Sequence, residues 1–160
     1  MVDARVSGVL HTVHVAANRP REILINAGLG LGEGVVSGLV AADQITVEKD
    51  EALAGDDLHF RYLTRDKRER VVFNTRARTG TIRVETLYHQ RLRAALEYAE
   101  LCELVHAAMR LEALYSHPLD IEFAFEGPSM RLLQVRPVPA ALSVWRETRD
   151  RYPLRRGGSR

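Results

Sequence analysis

"HPLDIEFAFEGPSMRLLQVRP", residues 117–137, decides how this chain is read. The first half alternates with a period of two, placing Leu119, Ile121, Phe123 and Phe125 on one side and Asp120, Glu122 and Ala124 on the other. The second half alternates too, with Leu133 and Val135 on one side and Leu132, Gln134 and Arg136 on the other. "EGPSM" between them is a turn signal, so the stretch predicts a β-hairpin. A loop of Gly127-Pro128-Ser129 sets Glu122 opposite Gln134 and Asp120 opposite Arg136. One face of this hairpin is apolar and needs a core to pack on. The other gathers two carboxylates, an amide and a guanidinium, with opposed Cβ atoms roughly 5 Å apart.

Carboxylate and amide oxygens are hard ligands suited to Mg²⁺, which commonly shares its coordination sphere with substrate phosphates. An arginine beside them can reach a terminal phosphate and stabilise the charge that moves during transfer. The same residues also describe a half-exposed hairpin carrying an ordinary Asp–Arg pair, and the pattern alone leaves both readings open.

Upstream, residues 86–114 change to a helical pattern. Ala94, Tyr98, Leu101, Val105 and Ala108 form an apolar stripe, Thr86 is a candidate N-cap, and Pro118 lies beyond the end. Cys102 and His106 fall at i and i+4 beside that stripe, a spacing that suits core packing better than a two-ligand metal site. His11 and His14 lie in an extended segment, where their spacing points them to opposite faces. Further upstream, "RVSGVLHTVHV", "REILINAGL" and "QITVEKD" read as strands, the last with Ile45 and Val47 on one side and Thr46 and Glu48 on the other. "HFRYLTRDKRERVVF" predicts two strands joined by a solvated hairpin tip at Arg65-Asp66-Lys67.

"INAGLGLGEGVVSG", residues 25–38, carries glycines in the position of a phosphate loop, yet it fits neither common template. A dinucleotide fingerprint starting at Gly28 needs glycine where Glu33 stands, and a Walker-A loop needs a lysine that the stretch lacks.

Composition narrows the class. With 46% apolar and 28% charged residues, the chain is an ordinary globular one, and no apolar run approaches the roughly 18 residues of a membrane helix. Asp3 is out of place in an export signal, so the cytoplasm is the default location. A single Cys102 excludes an internal disulfide framework. The net charge of +2 is uneven: residues 140–160 hold six arginines against Glu147 and Asp150, or +4, which leaves the body near −2. That balance gives no general drive toward nucleic acid, and "RYLTRDKRER" lacks the interleaved aromatics of a single-strand binder.

Three segments resemble one family. "DIEFAFEG…LLQVRPV" is similar to the D-I-E-W…L-Q-x-R-P ending of the nucleotide-binding domain of phosphoenolpyruvate synthases, pyruvate phosphate dikinases and rifampicin phosphotransferases. "INAGLGLGEGVVSG" resembles that family's I-N-A-x-x-G-L-G-E-x-V-V-S-G segment, and "MVDARVSGVLHT" its M-V-x-A-x-x-S-G-V-x-F-T stretch. The segments follow family order and spacing over residues 1–138, although His11 stands where the family usually has Phe. The resemblance implies an α+β fold: the C-terminal lobe of an ATP-grasp domain, a mostly antiparallel sheet packed against one long helix. It assigns residues 1–139 to that partial domain and residues 140–160 to an Arg-rich tail or linker. It further implies ATP as substrate with Mg²⁺, held by Glu122 and Gln134, with Arg136 as the catalytic arginine. Asp120 would support the arginine or the metal's waters, and Glu33 is either site-lining or structural.

The resemblance also implies partners outside these residues. The preceding ATP-grasp lobe holds the triphosphate in family members, and a separate domain carries the phosphohistidine. None of the six histidines here stands in a T-x-G-G-x-x-x-H-like context. The expectation is therefore a lobe with little phosphotransferase activity alone, from a mis-assigned start, a gene fragment or a split enzyme. The acceptor, pyruvate or an antibiotic hydroxyl, is not written in these residues. A non-catalytic interaction module is the competing reading.

Overall fold

The computed structural model describes residues 2–49 and 58–138 of the chain. Its centre is a six-stranded sheet made of β1 (Val6–His11), β2 (Glu22–Leu29), β3 (Asp43–Glu48), β4 (Phe60–Leu63), β7 (Leu119–Glu126) and β8 (Ser129–Pro137). The spatial order is β4-β3-β2-β1-β7-β8, and every neighbouring pair is antiparallel. A separate ribbon pairs β5 (Glu69–Phe73) with β6 (Thr81–Glu85). The helices with described bounds are α1 (Gly32–Val36), α2 (Tyr88–Arg91) and α3 (Tyr98–Tyr115), with a 3₁₀ turn at Val15–Ala17.

Strand alternation sorts the sheet into two unlike faces. Val6, Leu10, Ile23, Ile25, Ile45, Val47, Ile121, Phe123 and Phe125 share one face and are fully buried. α3 covers that face with Leu101, Leu104, Val105 and Ala108 in the same hydrophobic cluster. Phe123 and Phe125 meet edge-on, with ring centroids 6.2 Å apart. The helix begins at Tyr98 rather than Thr86, because Glu97 and Glu100 form a reciprocal capping box at its start. Residues 86–97 form instead the short α2 and its turns. Cys102 packs against the core, whereas His106 is exposed.

The charged segment after β4 is not a hairpin tip. β4 pairs with β3 and β5 with β6, so the two strands of "HFRYLTRDKRERVVF" are not partners. Lys67 is completely buried, with Nζ 2.6 Å from Asp43 Oδ1. Asp43 also accepts hydrogen bonds from the Tyr62 hydroxyl and from the backbone N–H groups of Arg65 and Ala95. A carboxylate with four donors, one of them a paired cation, is a satisfied buried group. It pins the β4–β5 link and the approach to α3 onto β3. Burial, reinforced by the neighbouring Asp43 charge, pushes the Tyr62 hydroxyl above its usual range.

The β7–β8 hairpin turns through two residues, not three: Glu126 pairs with Ser129 around Gly127-Pro128. Gly127 has φ +57°, as suits the first position of a tight glycine-led hairpin turn. A bulge then intervenes, since Phe123 pairs with Leu132 while Glu122 pairs with Gln134. Leu133 is the extra residue. Leu132 consequently shares the side of Phe123 instead of the polar side. Beyond the bulge, Glu122 faces Gln134 and Asp120 faces Arg136, the pairing expected from the sequence.

Candidate functional site

The face turned away from α3 reads as rows running across the strands. Continuous pairings set Gln44, Asn26, Val9, Glu122 and Gln134 in one row. The next row runs Arg61, Thr46, Leu24, His11, Asp120 and Arg136. Directly paired residues project to the same side of a sheet, so each row is a strip of neighbouring side chains. Val9, His11, Leu24, Asn26, Gln44, Thr46 and Glu122 are half-buried, and Gln134 and Arg136 are exposed. Both rows are open to a ligand.

A third row, Ser7 with Gly28 and Ala124, is roofed by the glycine segment. The Ser7 hydroxyl donates to the Gly30 carbonyl at 2.6 Å, and Gly30 itself holds φ +84° where a Cβ would lie 2.2 Å from the Val71 carbonyl oxygen. The Leu31 N–H donates to that same Val71 carbonyl. The glycines thus let a loop and the short α1 press against the sheet and β5, walling one end of the open face. Glu33 lies on α1, exposed, and accepts a hydrogen bond from Thr81 Oγ1 at 3.0 Å. It ties α1 to β6 and is not among the residues that strand pairing brings together.

Asp120, Glu122, Gln134 and Arg136 do come together. Arg136 Nε donates to Asp120 Oδ2 at 2.8 Å, while 55% of the arginine side chain stays exposed. That bond, then the charge of Asp120, and more weakly that of Glu122, hold the guanidinium even more firmly charged than usual. Asp120 Oδ1 is buried without a hydrogen bond, and His11 Nε2 stands 3.7 Å from it. Glu122 and Gln134 make no side-chain hydrogen bond or ion pair among the described residues. The strip therefore holds free oxygen donors beside a half-engaged guanidinium.

These donors fit Mg²⁺. The ion takes one or two protein carboxylates and completes its sphere with water and phosphate oxygens. A closed cage of three or more His, Cys, Asp or Glu side chains is absent among the described residues, and such a cage suits other metals better. Glu122 and Gln134 would hold the ion, beside the Asp120–Arg136 pair.

Comparison with known proteins shows the family of the chain. A family model described as the pyruvate phosphate dikinase AMP/ATP-binding domain matches residues 1–151. The chain belongs to that family. It is 31% identical over 138 residues to a Bacillus subtilis protein named uncharacterized phosphotransferase YvkC, covering 86% of this chain and 16% of the relative. The phosphoenolpyruvate synthase of Neisseria meningitidis is 31% identical over 139 residues, covering 84% of this chain and 18% of that enzyme. A probable phosphoenolpyruvate synthase of Methanocaldococcus jannaschii is 33% identical over 138 residues, covering 86% of this chain and 11% of the relative. The chain thus spans less than a fifth of the length of these three relatives.

Asn26, Gln44 and Thr46 enter the open face without having been singled out from the sequence. Alternation in "EILINAGL" and "DQITVE" marks them as the polar side of their strands. Only the strand order shows that this side is continuous with Glu122. Residues 140–160, the Arg-rich tail, lie outside the described residues. No helix among the described residues is long and apolar enough to cross a membrane.

Proposed function

We propose that this chain is the Mg²⁺–ATP-binding lobe of a dikinase-type phosphotransferase, the C-terminal lobe of an ATP-grasp domain spanning residues 1–139. The observation that carries this reading is the strip in which Glu122 faces Gln134 and Asp120 faces Arg136 on an accessible sheet face. Mg²⁺ bound there would screen the charge of the phosphates. Glu122 and Gln134 supply its oxygen ligands, and Arg136, steadied by Asp120, meets the charge that builds on the transferred phosphoryl group. The glycine segment closes one end of the site.

An open face leaves a bound nucleotide largely in water, where each charge interaction is weak. A second ATP-grasp lobe and a phosphohistidine domain, in cis or in trans, complete the enzyme in this reading. The chain alone then has little or no phosphotransferase activity. The relatives named phosphoenolpyruvate synthase favour pyruvate chemistry downstream, ahead of modification of an antibiotic hydroxyl.

Calorimetry with Mg²⁺–ATP tests the assignment. Binding by the 160-residue chain is expected to be weak and to vanish in Glu122→Ala and in Arg136→Ala. Unchanged weak binding in both variants would leave the non-catalytic interaction module as the surviving reading.

A further inference from the structure

The helix-covered side of the sheet contains a cavity of mixed apolar and cationic lining that the nucleotide reading does not use. It opens between β4, β5 and the link from α2 to α3, and has a volume of about 710 Å³. Phe60 and Tyr62 line it from the side of β4 paired with Val47 and Ile45, the core-facing residues of β3. Arg70 and Arg93 also line it, with Gln90 beside them.

The charges in this cavity are unbalanced. Arg70 Nε is buried without a hydrogen-bond partner, and the side chain of Arg93 makes no ion pair or hydrogen bond among the described residues. The acidic lining residue, Glu97, is committed to capping α3. A third guanidinium, that of Arg5, is already engaged by Glu100 and the Ala95 carbonyl. Two unengaged guanidiniums therefore share a cavity of ligand size, and among the described residues that line it none offers a free carboxylate. A buried donor without a partner calls for an acceptor, and planar guanidinium forks match oxyanions. The volume lies in the range of small-molecule sites, and the aromatic wall suits a flat apolar body.

We propose that this cavity binds a small ring-bearing oxyanion, its phosphate or carboxylate group on Arg70 and Arg93 and its ring against Phe60 and Tyr62. The site is separate from the open face of Glu122 and Arg136, and its occupant need not be a nucleotide.

Phenyl phosphate and inorganic phosphate, titrated into the full chain by calorimetry or ligand-detected NMR, are the probes. Phenyl phosphate is expected to bind more tightly than inorganic phosphate. Its affinity is expected to fall at least tenfold in Arg93→Gln or Arg70→Gln and to stay unchanged in Arg136→Gln. Because Arg70 is partly buried, Arg70→Gln counts only if it keeps the wild-type far-UV circular dichroism; Arg93 is exposed, so Arg93→Gln should fold and carries the test in either case. Absent binding, equal affinity in all variants, loss in Arg136→Gln, or no preference for the ring-bearing probe would each overturn the proposal.

Discussion

Arg136 meets Asp120 through Nε alone, which leaves its terminal amino groups directed at no other residue described. Lysine at this position would keep the charge but could not hold Asp120 and present a planar fork at once. Arg136→Lys is therefore expected to weaken Mg²⁺–ATP binding on the order of tenfold, the size of one charge-assisted hydrogen bond. Calorimetry showing wild-type affinity would contradict that role. Asp66 offers a test through pH. Its hydrogen bonds from Arg91 and Arg68 hold its carboxyl down at about 2. An unfolded aspartate titrates near pH ~4. A depressed folded pKa gives stability that is present above that value and lost as pH falls toward 2. Urea titrations at several pH values should show a shallower acid loss of stability in Asp66→Asn than in wild type. Identical slopes would show that the Arg91 and Arg68 contacts do not persist in solution.

Elements show what the sequence could and could not reveal. The β7–β8 pairing was legible because alternation fixes which residues share a side. Its turn was not, because a two-residue turn followed by a bulge and a three-residue turn deliver Glu122 to the same partner. β4 and β5 were legible as strands, but an isolated strand pattern does not name its partner. The charge density around Lys67 therefore reads as a solvated tip, whereas Asp43, distant in sequence, buries it. Thr86 is a good N-cap by residue type, but the cap α3 uses is the pair Glu97 and Glu100, a pairing that residue type alone does not single out. The Asp43–Lys67 pair has an energetic consequence. Asp43→Ala leaves a buried ammonium without its partner and should cost about 3–5 kcal/mol of stability. Denaturant unfolding of the Asp43→Ala variant measures this, and a loss below about 1 kcal/mol would mean that water reaches Lys67.

For the whole molecule, the proposed function rests on the two unlike faces of one sheet. Apolar residues on every central strand commit one face to α3 and the core, and the alternating polar residues line the other face, the one proposed to take the nucleotide. The oxygen-rich strip at Glu122 and Gln134 was legible in the sequence because both residues lie in one hairpin. Its extension through Asn26 and Gln44 was not, since it needs the order β3-β2-β1-β7, which joins strands far apart in the chain. Chemical-shift mapping of the isotopically labelled chain during titration with Mg²⁺–ATP tests the nucleotide face most directly. The expected result is perturbation concentrated at Val9, His11, Asp120, Glu122, Gln134 and Arg136, with the α3 amides undisturbed. Perturbations gathered on α3 or around Arg70 and Arg93, or none at millimolar nucleotide, would contradict the assignment of that face to ATP.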